Sequence, residues 1–138
     1  MLVVTVMAAV VSALLLPRTR GFYSAELSSS ARDRVQAYVA AARAVSVQTG
    51  RPSVFHGAHN AIWVTADSSG TQITYRASVR LDSTYQASMV ATVDSIVFDA
   101  RGLAQNLSTS QTINVTKDGI TKSVCISALG AILRSGCG

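Results

Sequence analysis

The chain has 138 residues, 49% hydrophobic and 14% charged, which limits it to one compact domain plus at most one further element. Its net charge of +5 comes from 12 basic and 7 acidic residues scattered along the chain. That balance excludes an electrostatic tail and permits, without demanding, contact with nucleic acid or anionic lipid.

Residues Met1–Leu16 carry no charge, and their only hydroxyls are Thr5 and Ser12. The run predicts an apolar helix, shorter than the ~20 residues that cross a bilayer core. Arg18 and Arg20 follow it and nothing basic precedes it, the reverse of a secretory signal. Taken alone, that asymmetry puts the remainder of the chain in the cytoplasm. Pro17 and Gly21 mark a junction. From Ser24 to Val47, the residues Leu27, Ala31, Val35, Tyr38, Val39, Ala42 and Val45 recur at three- and four-residue spacing and predict an amphipathic helix over 24–48. Arg32, Asp33, Arg34, Gln36 and Arg43 take the other directions. Thr49-Gly50 and then Pro52 supply its stop signals.

After Pro52 the period changes to two. Strands rich in Val, Ile, Thr and Tyr are expected at Ser53–His56, Ala61–Ala66, Thr71–Arg80, Ser95–Asp99, Thr112–Lys117, Ile120–Ser127 and Ala131–Arg134. Ser68-Ser69-Gly70 reads as a turn. Asp118-Gly119 is the strongest local signal, a two-residue hairpin turn whose residues tolerate positive φ. Its register sets Thr116 opposite Thr121 and Ile113 opposite Val124. Ile113, Val115, Val124 and Ile126 then share a buried face, and Cys125 falls on the opposite, more polar one. Leu129-Gly130 suggests a further turn and a three-stranded C-terminal meander.

The run MLVVTVMAAVVSALLLPRT resembles the apolar helix of type IV pilins and pseudopilins. Ser95-Ile-Val-Phe-Asp-Ala-Arg-Gly-Leu103 resembles the apolar-x-Phe-x-x-x-Gly stretch in the heads of GspH/FimT-type minor pseudopilins. Ser123-Val-Cys-Ile-Ser-Ala-Leu-Gly130 is similar to that family's closing hairpin. The resemblance implies an α+β fold, in which a long N-terminal helix, half membrane anchor and half amphipathic, packs on an antiparallel β-sheet head. Residues 1–23 would be the anchor and 24–138 the periplasmic head, with its sheet in 53–138. It implies a structural subunit of a type II secretion pseudopilus or a type IV pilus, acting in filament assembly and protein secretion, and no enzymatic activity. The implied partners are other pilins, the inner membrane and a prepilin peptidase, with methylation after processing. Met1 is then expected to be internal. An upstream leader with basic residues, a Gly, an aromatic residue and a Glu would supply the missing length and charge.

Few residues point to chemistry. His56 and His59 are the only histidines; with no third ligand nearby, a solvated loop is expected rather than a metal site. Cys125 lies in a plain strand sequence with no sign of an activated nucleophile. In a periplasmic head it is expected to form a disulfide with Cys137, although by register Cys137 lies a few residues past the opposite position and the tail must fold back. Asp94 and Asp99 read as exposed strand ends. No phosphate-binding Gly loop or nucleophile elbow occurs, and no cofactor is expected. The alternative function is that of a DNA-binding minor pilin for natural transformation. In the FimT type, Gly-Arg-x-Arg follows the last hairpin; here Gly130-Ala-Ile-Leu-Arg134 keeps one arginine at altered spacing. Arg134, Lys117 and Lys122 are the candidate DNA contacts.

Overall fold

The computed structural model describes the backbone of residues 2–134 and the side chains of residues 21–134. The first element, α1 (Leu2–Thr49), is a single helix of 48 residues, about 72 Å long at the usual rise per residue. It runs without a break through Pro17 and Gly21, so the expected junction is not a backbone interruption.

The inner face of α1 is buried at Ser24, Ser28, Ala31, Val35, Tyr38, Val39, Ala42, Val45 and Ser46. This is the expected stripe with one change: Leu27 is half-buried, and serines occupy the inner positions near it. A buried hydroxyl is costly unless bonded. Ser28 and Ser46 donate to the carbonyls of Ala25 and Arg43 at 3.0 and 2.8 Å, which removes that cost inside the helix itself. Alanine and serine at these positions keep the helix surface flat, so the sheets approach it closely.

Two four-stranded antiparallel sheets cover this face. The first has the order β3 (Thr71–Arg80), β2 (Ala61–Ser68), β1 (Ser53–Ala58), β5 (Ser95–Phe98). The second has the order β4 (Ser88–Ala91), β6 (Gln111–Lys117), β7 (Ile120–Ile126), β8 (Ile132–Leu133). Phe55, Ile62, Val64, Ile96 and Phe98 from the first sheet and Ile113, Val115, Val124 and Ile126 from the second merge with the helix stripe into one core. Ser53 Oγ donates to the Ala42 carbonyl at 2.6 Å, joining β1 to the helix inside that core.

The Asp118-Gly119 turn has φ of 48° and 79°, and Thr116 pairs with Thr121 and Ile113 with Val124, as the turn chemistry predicts. Cys125 differs from expectation: it lies on the other face of β7 but is only 4% exposed. The β1–β2 turn is made by His59 and Asn60, both at positive φ. Asn60 accepts from the Leu81 N–H through its carbonyl and from the Met89 N–H through Oδ1, each at 2.7 Å. Those bonds position two elements the sequence reading lacks, the single helical turn α2 (Leu81–Thr84) and β4. Four residues are too few to display a period.

Gly130 closes the last turn at φ +83°, and a Cβ there would lie 2.6 Å from Phe98 Cε1 and 3.0 Å from the Ala104 Cβ. Gly70 has a similar φ of +87° but open space around it. Gly70→Ala is therefore expected to cost only the left-handed penalty of about 1–2 kcal/mol. Gly130→Ala should cost a further ~1–3 kcal/mol because Phe98 is fixed in the core. Urea unfolding of the two variants separates the contributions; equal losses would contradict the packing account.

Candidate functional site

At its head end, α1 meets the tip of the β6–β7 hairpin. Ser24 Oγ donates to Asp118 Oδ2 at 2.6 Å, and Lys117 Nζ lies 3.4 Å from the same oxygen. The Ser24 hydroxyl, more than the Lys117 ammonium, holds the Asp118 carboxyl below the usual range. Lys117 also donates to Gln86 Oε1 at 2.9 Å, and its side chain is only 11% exposed. One of the three candidate DNA contacts is thus committed to the head's own structure. Lys122 lies on the face of β7 that carries Val124, and Arg134 follows β8, where it lines a recess of about 550 Å³ with Arg32, Gln36 and Ile132. By register Lys117 and Lys122 share the side of the sheet that carries Val115 and Val124, the helix-facing side, rather than its outer face.

Beside the hairpin tip, α1 presents Phe22 and Tyr23 to solvent at 78% and 63% exposure, with Val47 exposed at its far end. Tyr38 is held between α1 and β3. Its hydroxyl donates to the Ala77 carbonyl at 3.1 Å, and the guanidinium groups of Arg34 and Arg76 each lie 5.5 Å from its ring centre, within cation–π range.

Asp99 is 9% exposed, which corrects its reading as an exposed strand end. Oδ1 accepts from the N–H groups of Arg101 and Leu103, both at 2.9 Å, and Oδ2 accepts from Nε and Nη2 of Arg101 at 3.1 Å. The Leu103 N–H, followed by Arg101, holds this carboxyl below the usual range although burial opposes it. The carboxylate wraps the Phe98-to-Gly102 loop around itself, with Gly102 N donating to the Asp99 carbonyl at 2.8 Å. Asp99 is a structural clasp that sequence spacing alone does not reveal.

His56 lies on β1, within the expected strand Ser53–His56 rather than in the loop expected of the histidine pair, its ring stacked on Trp63 at 4.8 Å and 6°. Its Nε2 is 2.9 Å from Thr65 Oγ1, and burial lowers its pKa. His59 stands in the β1–β2 turn. No cluster of three metal-ligating side chains occurs among the described residues. Cys125 faces Leu133 across the β7–β8 pair, whereas both histidines belong to the β1–β2 hairpin of the other sheet. Cys137 lies outside the described residues, as does the pairing expected of it. The apolar run of residues 1–16 lies outside the described side chains; among the described residues no helix is long and apolar enough to cross a membrane.

The depressed pKa values of Asp99 and Asp118 make a signed prediction. Each group contributes stability that is present above its unfolded value of about 3.9 and is lost as pH falls through its lower folded value. Asp118→Asn should lower stability at about pH 7 and flatten the loss as pH falls below about 4. Urea unfolding across that range measures both effects; an unchanged acid limb would exclude the Ser24 contact as its source.

The architecture is that of known pilins. The crystal structure of the type IV minor pilin FimU from Pseudomonas aeruginosa superposes with a TM-score of 0.65 at 17% identity, covering 80% of this chain and 89% of FimU. A second crystal form of FimU gives a TM-score of 0.61 at 18% identity, covering 76% and 90%. No curated protein sequence matches significantly. Residues 31–130 match the family model of the type II transport protein GspH. That span takes in the inner face of α1 from Ala31 onward, strands β1 to β7, the Asp99 clasp and Gly130, and the chain belongs to the GspH family.

Proposed function

We propose that this protein is a minor pseudopilin or pilin that enters a filament through α1 and serves in its assembly, in a type II secretion pseudopilus or a type IV pilus. The family and fold are those of pilin-like structural subunits rather than of known enzymes, and they associate the chain with a pilus or pseudopilus. The observation that carries the proposal is the division of labour on α1. One face is sealed by two sheets while Phe22, Tyr23 and Val47 stand bare on the same helix. A helix so long, with apolar groups unburied by its own head, is suited to packing against equivalent helices. In this reading residues 1–23 anchor the subunit in the inner membrane before assembly, and the head, residues 24–138, lies in the periplasm after processing by a prepilin peptidase. The alternative of a DNA-capturing minor pilin requires several cations on one surface, and the engagement of Lys117 with Gln86 and Asp118 weighs against it.

A charge in the anchor separates folding from assembly. Val10→Arg should cost ~2.5–3.5 kcal/mol in the bilayer and leave the head folded. The variant should show mixed helix and strand by circular dichroism yet fail to restore secretion or piliation in a strain lacking the gene. Full restoration would refute the filament reading.

A periplasmic head also implies the Cys125–Cys137 disulfide. Its support is that no described cysteine is a free thiol and that Cys125 lies beside the strand leading to the C-terminus. Closing that short loop should stabilise the head by roughly 2–3 kcal/mol. Mass spectrometry of protein isolated without reductant should find no alkylatable thiol; two alkylated cysteines would exclude the bond.

A further inference from the structure

We infer that the recess between α1 and β8 is a receptor for a carboxylate side chain of a neighbouring pilin subunit, held by Arg32 and Arg134. The inference rests on the assembly reading and names a contact within it. Arg32 comes from the middle of the helix and Arg134 from the residue after β8, so the fold alone brings them to one cavity. That cavity is about 550 Å³, and its other lining residues among those described are Gln36 and Ile132, neither of them an acid. Neither arginine has a salt bridge among the described residues, although Arg80 and Arg101 each pair with an aspartate. Arg32 Nε is also the one buried side-chain polar atom among the described residues without a hydrogen-bond partner. A buried donor left unpaired is costly and rare in native structures. Two guanidinium groups facing one recess, one with an idle Nε–H, lack an anion with two acceptor oxygens, and a carboxylate meets that geometry.

The surroundings select the source of the anion. Arg32 lies sixteen residues beyond Leu16, the end of the apolar run, or about 24 Å along a helix, so phosphates at the membrane surface are out of reach. Nucleic acid presents a continuous row of phosphates and needs cations along a track. Here the donors are recessed, Ile132 forms part of the wall, and exposed Asp33 stands next to Arg32 in the sequence, where it repels a polyanion. A single acidic side chain from an adjacent subunit needs no track of cations and meets Asp33 as one charge rather than many, and Gln36 adds an amide to the lining.

The test uses the full chain in detergent micelles, isotope-labelled for arginine side-chain NMR. N-acetylglutamate amide should move the Arg32 Nε–H resonance saturably, and N-acetylglutamine amide should not. Arg134→Gln should weaken that response roughly tenfold or more, and Arg32→Gln should likewise weaken the shift of the Arg134 Nε–H resonance, with the backbone spectrum of the head unchanged. Arg134 is exposed, so its variant keeps the test valid even if Arg32→Gln perturbs packing. Equal responses to the two amides, or no saturable response at Arg32, would overturn the site. A saturable response to duplex oligonucleotide in place of the glutamate would reassign it to nucleic acid and overturn it equally. In cells, Arg134→Gln should reduce incorporation into filaments; normal incorporation would overturn the neighbouring subunit as the source. The Val10→Arg variant tests assembly through a different part of the chain, so the two failures are distinguishable.

Discussion

The structure depends on one helix face being narrow enough, and smooth enough, for two sheets to share it. Ala31, Ala42, Ser28 and Ser46 give that face its low profile, while Val35, Val39 and Val45 fill the space between small residues. Neither sheet closes a core alone, since each buries a single face against α1 and the other sheet. The helix is therefore the common wall of the domain, and the head is organised around a segment that also has an assembly role. Mutations on the inner stripe should act on both sheets together, because the core they share is continuous.

The parts legible in the sequence are those where one rule governs a run of neighbours. The α1 stripe follows from three- and four-residue spacing, and the β6–β7 register follows from a turn that permits only one pairing. Other parts needed information from distant residues. Asp99 looks like any carboxylate at a strand end until the loop folds back and supplies the N–H groups of Arg101 and Leu103. His56 reads both as the end of the strand Ser53–His56 and, beside Gly57, as part of a loop; β1 continues through Gly57 to Ala58, with Trp63 as the cross-strand partner of His56. The meeting of Arg32 with Arg134 was illegible for the same reason, since nothing local marks either arginine. Hydrophobicity alone puts Leu27 on the inner stripe, whereas Ser28 takes the buried position by bonding to its own helix.

The division between the two sheets also bears on how surface is allotted. The outer strand β3 is exposed along its length except at half-buried Val79, and Tyr38 secures it to the helix through Ala77. Arg34 and Arg76 cover the Tyr38 ring, so positive charge there serves packing as well as solubility. Charged residues on this head are thus of two kinds: those spent on internal clasps, such as Lys117, Asp99 and Arg101, and those left without an internal partner. Only the second kind is open to recognition, which is why counting cations along the sequence overstates what the surface offers.

The bond between Ser24 and Asp118 has a mechanical consequence. Any pull on the helix enters the head where the helix leaves it. Were the hairpin tip loose there, tension would peel the sheet from the helix one contact at a time, beginning at Val115 and Val124. Fastened at its tip, the hairpin must instead slide along the helix as a block, so that many contacts share the load at once. A single short hydrogen bond between residues 94 positions apart thereby changes the direction in which the head resists a pull on its helix, at almost no cost in surface.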